Sequence, residues 1–238
     1  MEILPVKTRV MNPPKDNIFA ALDAAQFEFH EKDIFILTSK VVSIHQGQCV
    51  LDDGTITKDQ LIAKEAEKIL GSKKVSGGQV VMTLKHHTLI SSAGIDESNG
   101  NGYFILWPKG LQEFAKEVHT YLKERFHVKQ CGVVITDSHS TPLRYGATGI
   151  GIGFYGFVPI KDYRGSRDLF DRKFEMQQAN LVDGIAAAGV LAMGEGSECT
   201  PAAVIHGMEE IDFVSGDFYD HWFVPEDEDA YFYLFKKE

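Results

Sequence analysis

Three short polar segments carry side chains from which chemistry can be built: AGIDESN with Asp96 and Asn99, TDS with Asp137 and Ser138, and MGEGSE with Glu195 and Glu198. Each follows an apolar stretch, so each sits where a rigid element can aim a side chain. Carboxylate and hydroxyl oxygens are hard donors. They suit Mg2+ or Mn2+, which bridge a few carboxylates and the phosphates of a substrate, and they do not suit soft metals. Taken singly, each acid also has an ordinary reading, because Asp and Ser favour turns at strand ends. The segment ITDSHSTPLRYG poses the choice most sharply. The apolar run CGVVI delivers the chain to Asp137, where the strand is expected to end on a carboxylate with a hydroxyl beside it.

Other segments could serve an anionic substrate. Thr38, Ser39 and Lys40 offer two hydroxyls and an ammonium at a strand end, a reasonable phosphate contact. Lys161, Arg164, Arg167, Arg172 and Lys173, with Arg144 nearby in sequence, form a basic cluster able to neutralise an anion. The interspersed Asp162, Asp168 and Asp171 fit an ordinary surface ion-pair network equally well. His139, two residues from Asp137, is the histidine to test as an acid–base group. His86 and His87 read as neighbours on a strand, hence facing opposite sides. The glycines of GIGIGFYG read as a strand that another backbone approaches closely, and not as a nucleotide cradle. No P-loop GxxxxGK[ST] occurs.

The elements that must position these groups follow from periodicity and turn chemistry. Asp16, within the NPPKDN turn, is expected to cap a helix reaching about His30. DIFILTSKVVSIHQG reads as one or two strands ending at Gly47, and Asp53-Gly54 as a turn. Thr57 and Gln60 form a capping box for a helix ending near Gly71. VSGG leads into the strand QVVMTL, with HHTLI behind it and GYFILW after the polar loop. Leu111, Phe114, Ala115, Val118 and Leu122 recur at helical spacing over residues 110–126. CGVVIT and PAAVI read as strands, and residues 175–193 as a long helix on which Gly184 and Gly189 permit close packing. EDEDAYFYLFKK, acids first and lysines last, suits a terminal helix.

Strands and helices mix without a strict βαβ beat, which indicates an α+β fold of mixed sheets with flanking helices. No linker separates independent domains, so residues 1–238 are expected to form a single domain of two interwoven lobes. The 238 residues, 44% hydrophobic and 24% charged, can bury a sizeable core. A net charge of −10 argues against nucleic-acid or anionic-membrane partners, since both need a basic footprint. Cys49, Cys131 and Cys199 are scattered and form no CxxC pair, which argues against a disulfide framework or structural zinc. MEILPVKTRV lacks the apolar core of a signal peptide, so a cytoplasmic setting is expected.

Taken in order, SKVVSIHQG, SSAGIDESN, VVITDSHSTPLRYG, IGIGFYGFVPIKDYRGSRDLFDR and AAAGVLAMGEGSECTPAAVI resemble the gamma-glutamyl ligases that act on coenzyme F420, from about Asp33 to Gly207. The resemblance implies an intertwined mixed fold, a homodimer and a GTP- or ATP-dependent amide-bond ligase using Mn2+ or Mg2+, with K+ as a further candidate ion. It implies Asp96, Asp137 and Ser138 as metal ligands, Glu195 as a ligand to a second ion, and Ser39, Lys40, Asn99 and the Gly194–Glu195–Gly196 segment as nucleotide contacts. Asp137 then has a catalytic role through the cation, and Arg144 is assigned to the acid substrate. The substrates implied are an amino acid, L-glutamate, and a small-molecule carboxylic acid that passes through an acyl phosphate.

The chain departs from that family's usual pattern at several positions. Ile44 stands for a lysine, Gln46 for a glutamate, Ser138 for a threonine, and Ser140 and Thr141 for glycine and arginine. Gly184 replaces an acid that often follows the Asp183 position, and His206 replaces an arginine. The acids persist while basic residues change, which predicts a retained phosphate-activating core with altered recognition. The leading expectation is therefore a ligase joining an amino acid, L-glutamate first, to a carboxylic acid acceptor, with a smaller acid or another amino acid donor left open. The alternatives are the family's usual deazaflavin acceptor and an inactive nucleotide-binding protein.

Overall fold

A computed structural model of the chain describes residues 1–75 and 78–235. The chain opens with β1 (Glu2–Val6), α1 (Ile18–Ala24), β2 (Ile34–Thr38), α2 (Ser39–Gln46) and β3 (Cys49–Leu51). It continues through α3 (Lys58–Glu65), β4 (Lys68–Val75), β5 (Gly78–Lys85), β6 (Thr88–Ser91) and β7 (Tyr103–Ile105). Then come α4 (Leu111–Phe126), β8 (Gly132–Ser140), β9 (Ala147–Tyr155), β10 (Ile160–Asp162), β11 (Gln178–Asn180), α5 (Leu181–Met193), β12 (Ala202–His206) and the short α6 (Phe232–Phe235).

The fold is α+β, as the mixed pattern predicts. Its centre is a five-stranded sheet in the order β1-β12-β2-β8-β9. Only β2 and β8 pair in parallel; the other neighbours are antiparallel. Phe35, Leu37, Val133 and Ile135 join α1, α2 and α4 in one core, while Ile34, Ile36 and Val134 join α5 in the other. Strand alternation thus feeds two helical layers from one sheet. A smaller unit, β4-β5-β6 with α3 and the β3-β7 ribbon, has its own core of Leu61, Ile62, Val81, Ile95 and Phe104.

α4 lies where its periodicity places it, and Leu111, Phe114, Ala115, Val118 and Leu122 are all buried. The Thr57–Gln60 capping box is present, but α3 stops at Glu65 and the chain turns into β4 before Gly71. α1 is capped by Asn17, which accepts from the N–H groups of Phe19 and Ala20, and it ends at Ala24, well short of His30. Asp16 is unavailable as a cap because it pairs with Arg9 through two 2.6 Å contacts. α5 begins at Leu181, with Asn180 accepting from Asp183 N–H; the residues before it pair as β11 with β10. His86 and His87 occupy the β5–β6 turn with positive φ, so they are not on a strand. Residues 76 and 77 of the VSGG segment, and the last two residues of the expected terminal helix, lie outside the described residues.

Two further corrections bear on the site. SKVVSIHQ is a helix, not a strand. Gly47 at φ 70° closes it, its N–H donating to Ile44 C=O at 3.1 Å and Gln48 N–H donating to Ser43 C=O at 2.8 Å. That left-handed stop satisfies the last carbonyls, and burial of Val41, Val42 and Ile44 overrides their β-branched preference. In addition, β8 does not end at Asp137. It stays paired with β9 as far as Ser140–Ala147, and a bulge between Ile135 and Thr136 shifts the register just before the aspartate. Bulges re-aim the side chains that follow them.

Candidate functional site

The parallel strands β2 and β8 deliver Thr38 and Asp137 toward one end of the sheet. There a cavity of about 550 Å3 opens, lined by residues including Thr38, Lys40, Asp96, Asn99, Asp137, Ser138 and the 194–201 segment. Open parallel α/β sheets bind ligands in the cleft at the carboxyl ends of their strands, and the single parallel pair β2–β8 reproduces that geometry locally. Because α2 starts at Ser39, its N-terminus faces this space with no side-chain cap on its first turn. Free N–H groups and the helix dipole favour an anion at such a position.

Asp96 reaches the cavity from the loop before β7, pinned by a bridge to Ile105 in which N–H to O distances are 3.0 and 2.8 Å. Its carboxylate lies 3.2 Å from Lys40 Nζ, which also donates to Ser98 O at 3.0 Å. Asp137 accepts from its neighbour's backbone, Ser138 N–H, at 2.7 Å. Burial first, and then the nearby Asp96 charge, push the Asp137 carboxyl up to about 7; the Ser138 N–H, the Ser39 hydroxyl and Lys40 oppose the shift. Two carboxylates that repel each other on a cavity wall, with a serine hydroxyl beside them, make an oxygen donor set suited to a hard divalent cation. The donor types and the repulsion both fit such an ion.

On the opposite wall, α5 ends and the chain passes through Gly194, at φ 81°, into the Gly194–Glu195–Gly196 loop. Glu198 folds back so that its carboxylate accepts from Gly196 N–H at 2.9 Å, and Asn99 Nδ2 donates to Gly196 O at 3.0 Å. The acidic loops at 96–99 and 194–198 are therefore tied together directly.

Residues 6–207 match the model of the F420-0:gamma-glutamyl ligase family. The chain belongs to this family. It is 32% identical to coenzyme F420:L-glutamate ligase of Methanopyrus kandleri over 88% of this chain and 87% of that protein. The proteins of the same name from Methanosarcina acetivorans and Methanocaldococcus jannaschii are 33% and 30% identical, each over 77% of this chain and 77% and 78% of their own. The F420-0:gamma-glutamyl ligase family comprises nucleotide-dependent C–N ligases that use GTP and a divalent metal.

Of the residues singled out in the sequence of this ligase, Lys40, Asp96, Asn99, Asp137, Ser138, Gly194, Glu195 and Gly196 all line the one cavity, and Ser39 is buried outside its lining, where its hydroxyl favours the charged form of Asp137. Arg144 does not. It sits on the exposed β8–β9 turn, its N–H donating to Thr141 O at 3.2 Å, because the hairpin continues past Asp137 and carries the turn beyond the cavity. The 161–173 cluster resolves into surface pairs, Arg164–Asp162, Arg167–Asp171 and Lys161–Glu210. His139 is half-buried outside the cavity lining, and burial lowers its pKa against the opposing charge of Asp183.

Sequence reasoning missed Thr8, Arg9 and Met11, which line the cavity from the segment after β1. Arg9 is oriented by Asp16, whose hydrogen bonds raise the guanidinium pKa and hold the Asp16 carboxyl well below its usual range. The only signal was a cation seven residues before an acid, which is too common to read.

The raised carboxyl gives a prediction. The folded value near 7 exceeds the unfolded 3.8, so between them the metal-free native state holds the extra proton. Its stability therefore falls as pH rises through that window. A cation bound by Asp137 would have to displace that proton, so on that assignment the apparent Mn2+ affinity is expected to rise roughly tenfold per pH unit below 7 and level off above it. Calorimetric titrations at several pH values check this; an affinity flat across the window removes Asp137 from the ion's ligands.

Proposed function

We propose that this protein joins L-glutamate, through its amine, to the carboxyl group of F420-0, using GTP or ATP, and that Asp96, Asp137 and Ser138 hold the divalent cation, Mg2+ or Mn2+. The observation that carries this is the meeting of two acidic segments, the N-terminus of α2 and the 194–196 loop around one cavity. The M. kandleri, M. acetivorans and M. jannaschii relatives, each named coenzyme F420:L-glutamate ligase, support the deazaflavin acceptor better than a smaller acid.

A carboxylate is a poor electrophile. Transfer of the terminal phosphoryl group to the acceptor carboxylate makes an acyl phosphate, and the glutamate amine displaces phosphate to form the amide. The cation, when bound, neutralises phosphate charge and fixes the donor for in-line transfer. Ser39 and Lys40, with the α2 N-terminus, receive phosphate oxygens. Lys40, paired with Asp96 at 3.2 Å, would be free to face a phosphate if that carboxylate held a cation instead. Asn99 and the Gly194–Gly196 backbone hold the nucleotide, and Glu195 is placed to hold a second ion. Arg9, carried into the cavity wall, takes the anion-holding role that Arg144 is too distant to fill.

The test is nucleotide hydrolysis with GTP or ATP, Mn2+ or Mg2+ with and without K+, L-glutamate, and either F420-0 or a panel of smaller acids. Hydrolysis that requires both glutamate and F420-0 supports the reading. Turnover confined to another acid moves the acceptor, and that outcome has a specific basis: the buried aliphatic Ile44 lines the cavity and cannot bind a phosphate or carboxylate. Tight nucleotide binding without turnover makes the protein a binding module.

The 238 residues act as one ligase domain of interwoven lobes, without nucleic-acid or membrane partners, in the cytoplasm. No helix among the described residues is long and apolar enough to cross a membrane. The working form is a homodimer. Leu143, Tyr145, Leu169 and Phe170 are each at least 90% exposed, apolar surface that a second copy would cover. Sedimentation equilibrium is expected to give a dimer that Leu143→Asp with Phe170→Asp shifts to monomer; an unchanged mass rejects this surface.

A further inference from the structure

At the other end of β2 from the cavity, three side chains converge that the ligase reaction does not use. Asp33 immediately precedes β2 and His206 ends β12, the strand beside it. His206 Nδ1 lies 2.8 Å from Asp33 Oδ2, and His30 Nδ1 lies 3.6 Å from the same oxygen. The two imidazole rings are 5.2 Å apart, centre to centre. One ligand atom from each of the three residues falls within 4.8 Å of the others.

From this geometry we infer that His30, Asp33 and His206 form a binding site for a divalent transition metal of the Zn2+ class, separate from the hard-cation site in the cavity. Two imidazoles and one carboxylate are borderline donors that suit Zn2+ or Co2+ and not Mg2+. With bonds of roughly 2.0–2.2 Å, tetrahedral ligand atoms stand roughly 3.3–3.6 Å apart. The His30–Asp33 spacing of 3.6 Å already fits, and the 2.8 Å His206–Asp33 contact opens slightly as a hydrogen bond gives way to the ion. The His206 proton then resides on Nε2, leaving Nδ1 to coordinate.

The His30–Asp33 half of the site is preorganised, and His30 and His206 close toward each other on binding. His30 N–H donates to Asp33 Oδ2 at 2.5 Å, and Asp33 N–H returns to His30 O at 3.2 Å, so a tight turn fixes two of the ligands. The Asp33 side chain is only 4% exposed, whereas His30 is 62% exposed, which leaves an entry path and a position for water as fourth ligand. Glu28 Oε2 stands 3.8 Å from His30 Nε2, beyond hydrogen-bond distance, on the ring edge away from the ion. An ion here ties the entry of β2 to the end of β12, 173 residues apart in sequence.

The test is titration of the full chain with Co2+ in excess Mg2+, followed by visible absorption. One equivalent is expected to give the intense band of tetrahedral Co2+, which Zn2+ abolishes. His30→Ala and His206→Ala each lose the band, and Asp137→Asn keeps it. Since His30 is exposed, its variant retains the fold and decides the matter should His206→Ala unfold. No band in the parent protein, or a band untouched by His30→Ala, overturns the site. A band lost only in Asp137→Asn assigns the ion to the cavity instead. Thermal melts separate a metal site from a plain hydrogen bond: Zn2+ raises Tm in the parent and not in His30→Ala.

Discussion

Asp137→Asn is expected to lower metal-dependent turnover by about 10^3-fold while the protein stays folded. Asparagine keeps the shape of the side chain and can still accept the Ser138 N–H bond through its oxygen, which holds Asp137 at 2.7 Å. What it removes is the negative charge that, with Asp96, faces the cavity. If Asp137 holds the cation as proposed, withdrawing it from phosphoryl transfer costs several kcal/mol of transition-state stabilisation, and about 4 kcal/mol is about 10^3 in rate. A second readout separates this loss from unfolding. The folded Asp137 carboxyl titrates near 7 and the unfolded one near 3.8, so at pH 8 the metal-free native state carries a carboxylate that burial and Asp96 both disfavour. The neutral amide relieves that cost. The metal-free Tm of the variant at pH 8 is therefore expected to equal or exceed the parent's, while the Mn2+-induced rise in Tm disappears. Full turnover in the variant would remove Asp137 from the reaction.

The side chains of the site were easier to read than the backbone that holds them. Asp96, Asn99, Asp137 and Glu195 stand out because hard oxygen donors follow apolar elements, and the same spacing survives in the folded molecule. The β8–β9 bulge left no trace in the letters, since pairing register is set between strands distant in sequence. Likewise α2 looked like a strand because Val41, Val42 and Ile44 are β-branched. The overlooked sign was Gly47, one residue past the helix, where positive φ ends it. That error mattered, because a strand end offers only side chains to a phosphate, whereas a helix start also offers backbone N–H groups. Arg144 failed for a related reason. Six residues of continuing hairpin separate it from Asp137, and proximity in sequence is not proximity once a strand runs straight.

The glycines supply the second large effect, and they show why identity alone is a poor guide. Gly151, Gly153 and Gly156 have the GxGxxG spacing, yet Gly151 and Gly153 lie within β9 and the segment enters no helix. Their neighbour Gly149 has a packing role. A Cβ there would stand 2.4 Å from the carbonyl oxygen of Ala186 and 2.7 Å from Val190 Cγ2, both on α5. A backbone carbonyl cannot rotate aside, so α5 must move as a body. Overpacking of this kind costs about 3 kcal/mol, and in a chain of this size that lowers Tm by roughly 6–12 °C. The displacement also reaches the cavity, because α5 carries Val190 and Met193 into its wall and leads into Gly194–Gly196. Gly149→Ala is therefore expected to weaken nucleotide binding as well as stability, without touching a ligand. Gly184 is the control: it lies on the same helix with nothing within 4 Å of its Cβ position. Gly184→Ala should raise stability by about 0.5–1 kcal/mol through helix propensity and leave nucleotide affinity unchanged. Paired melting and nucleotide titrations read both variants. Equal effects from the two would mean that β9–α5 contact does not set the position of the 194–196 loop, and the cavity wall would then have to be held by its other ties, Asn99 and Glu198 to Gly196 among them.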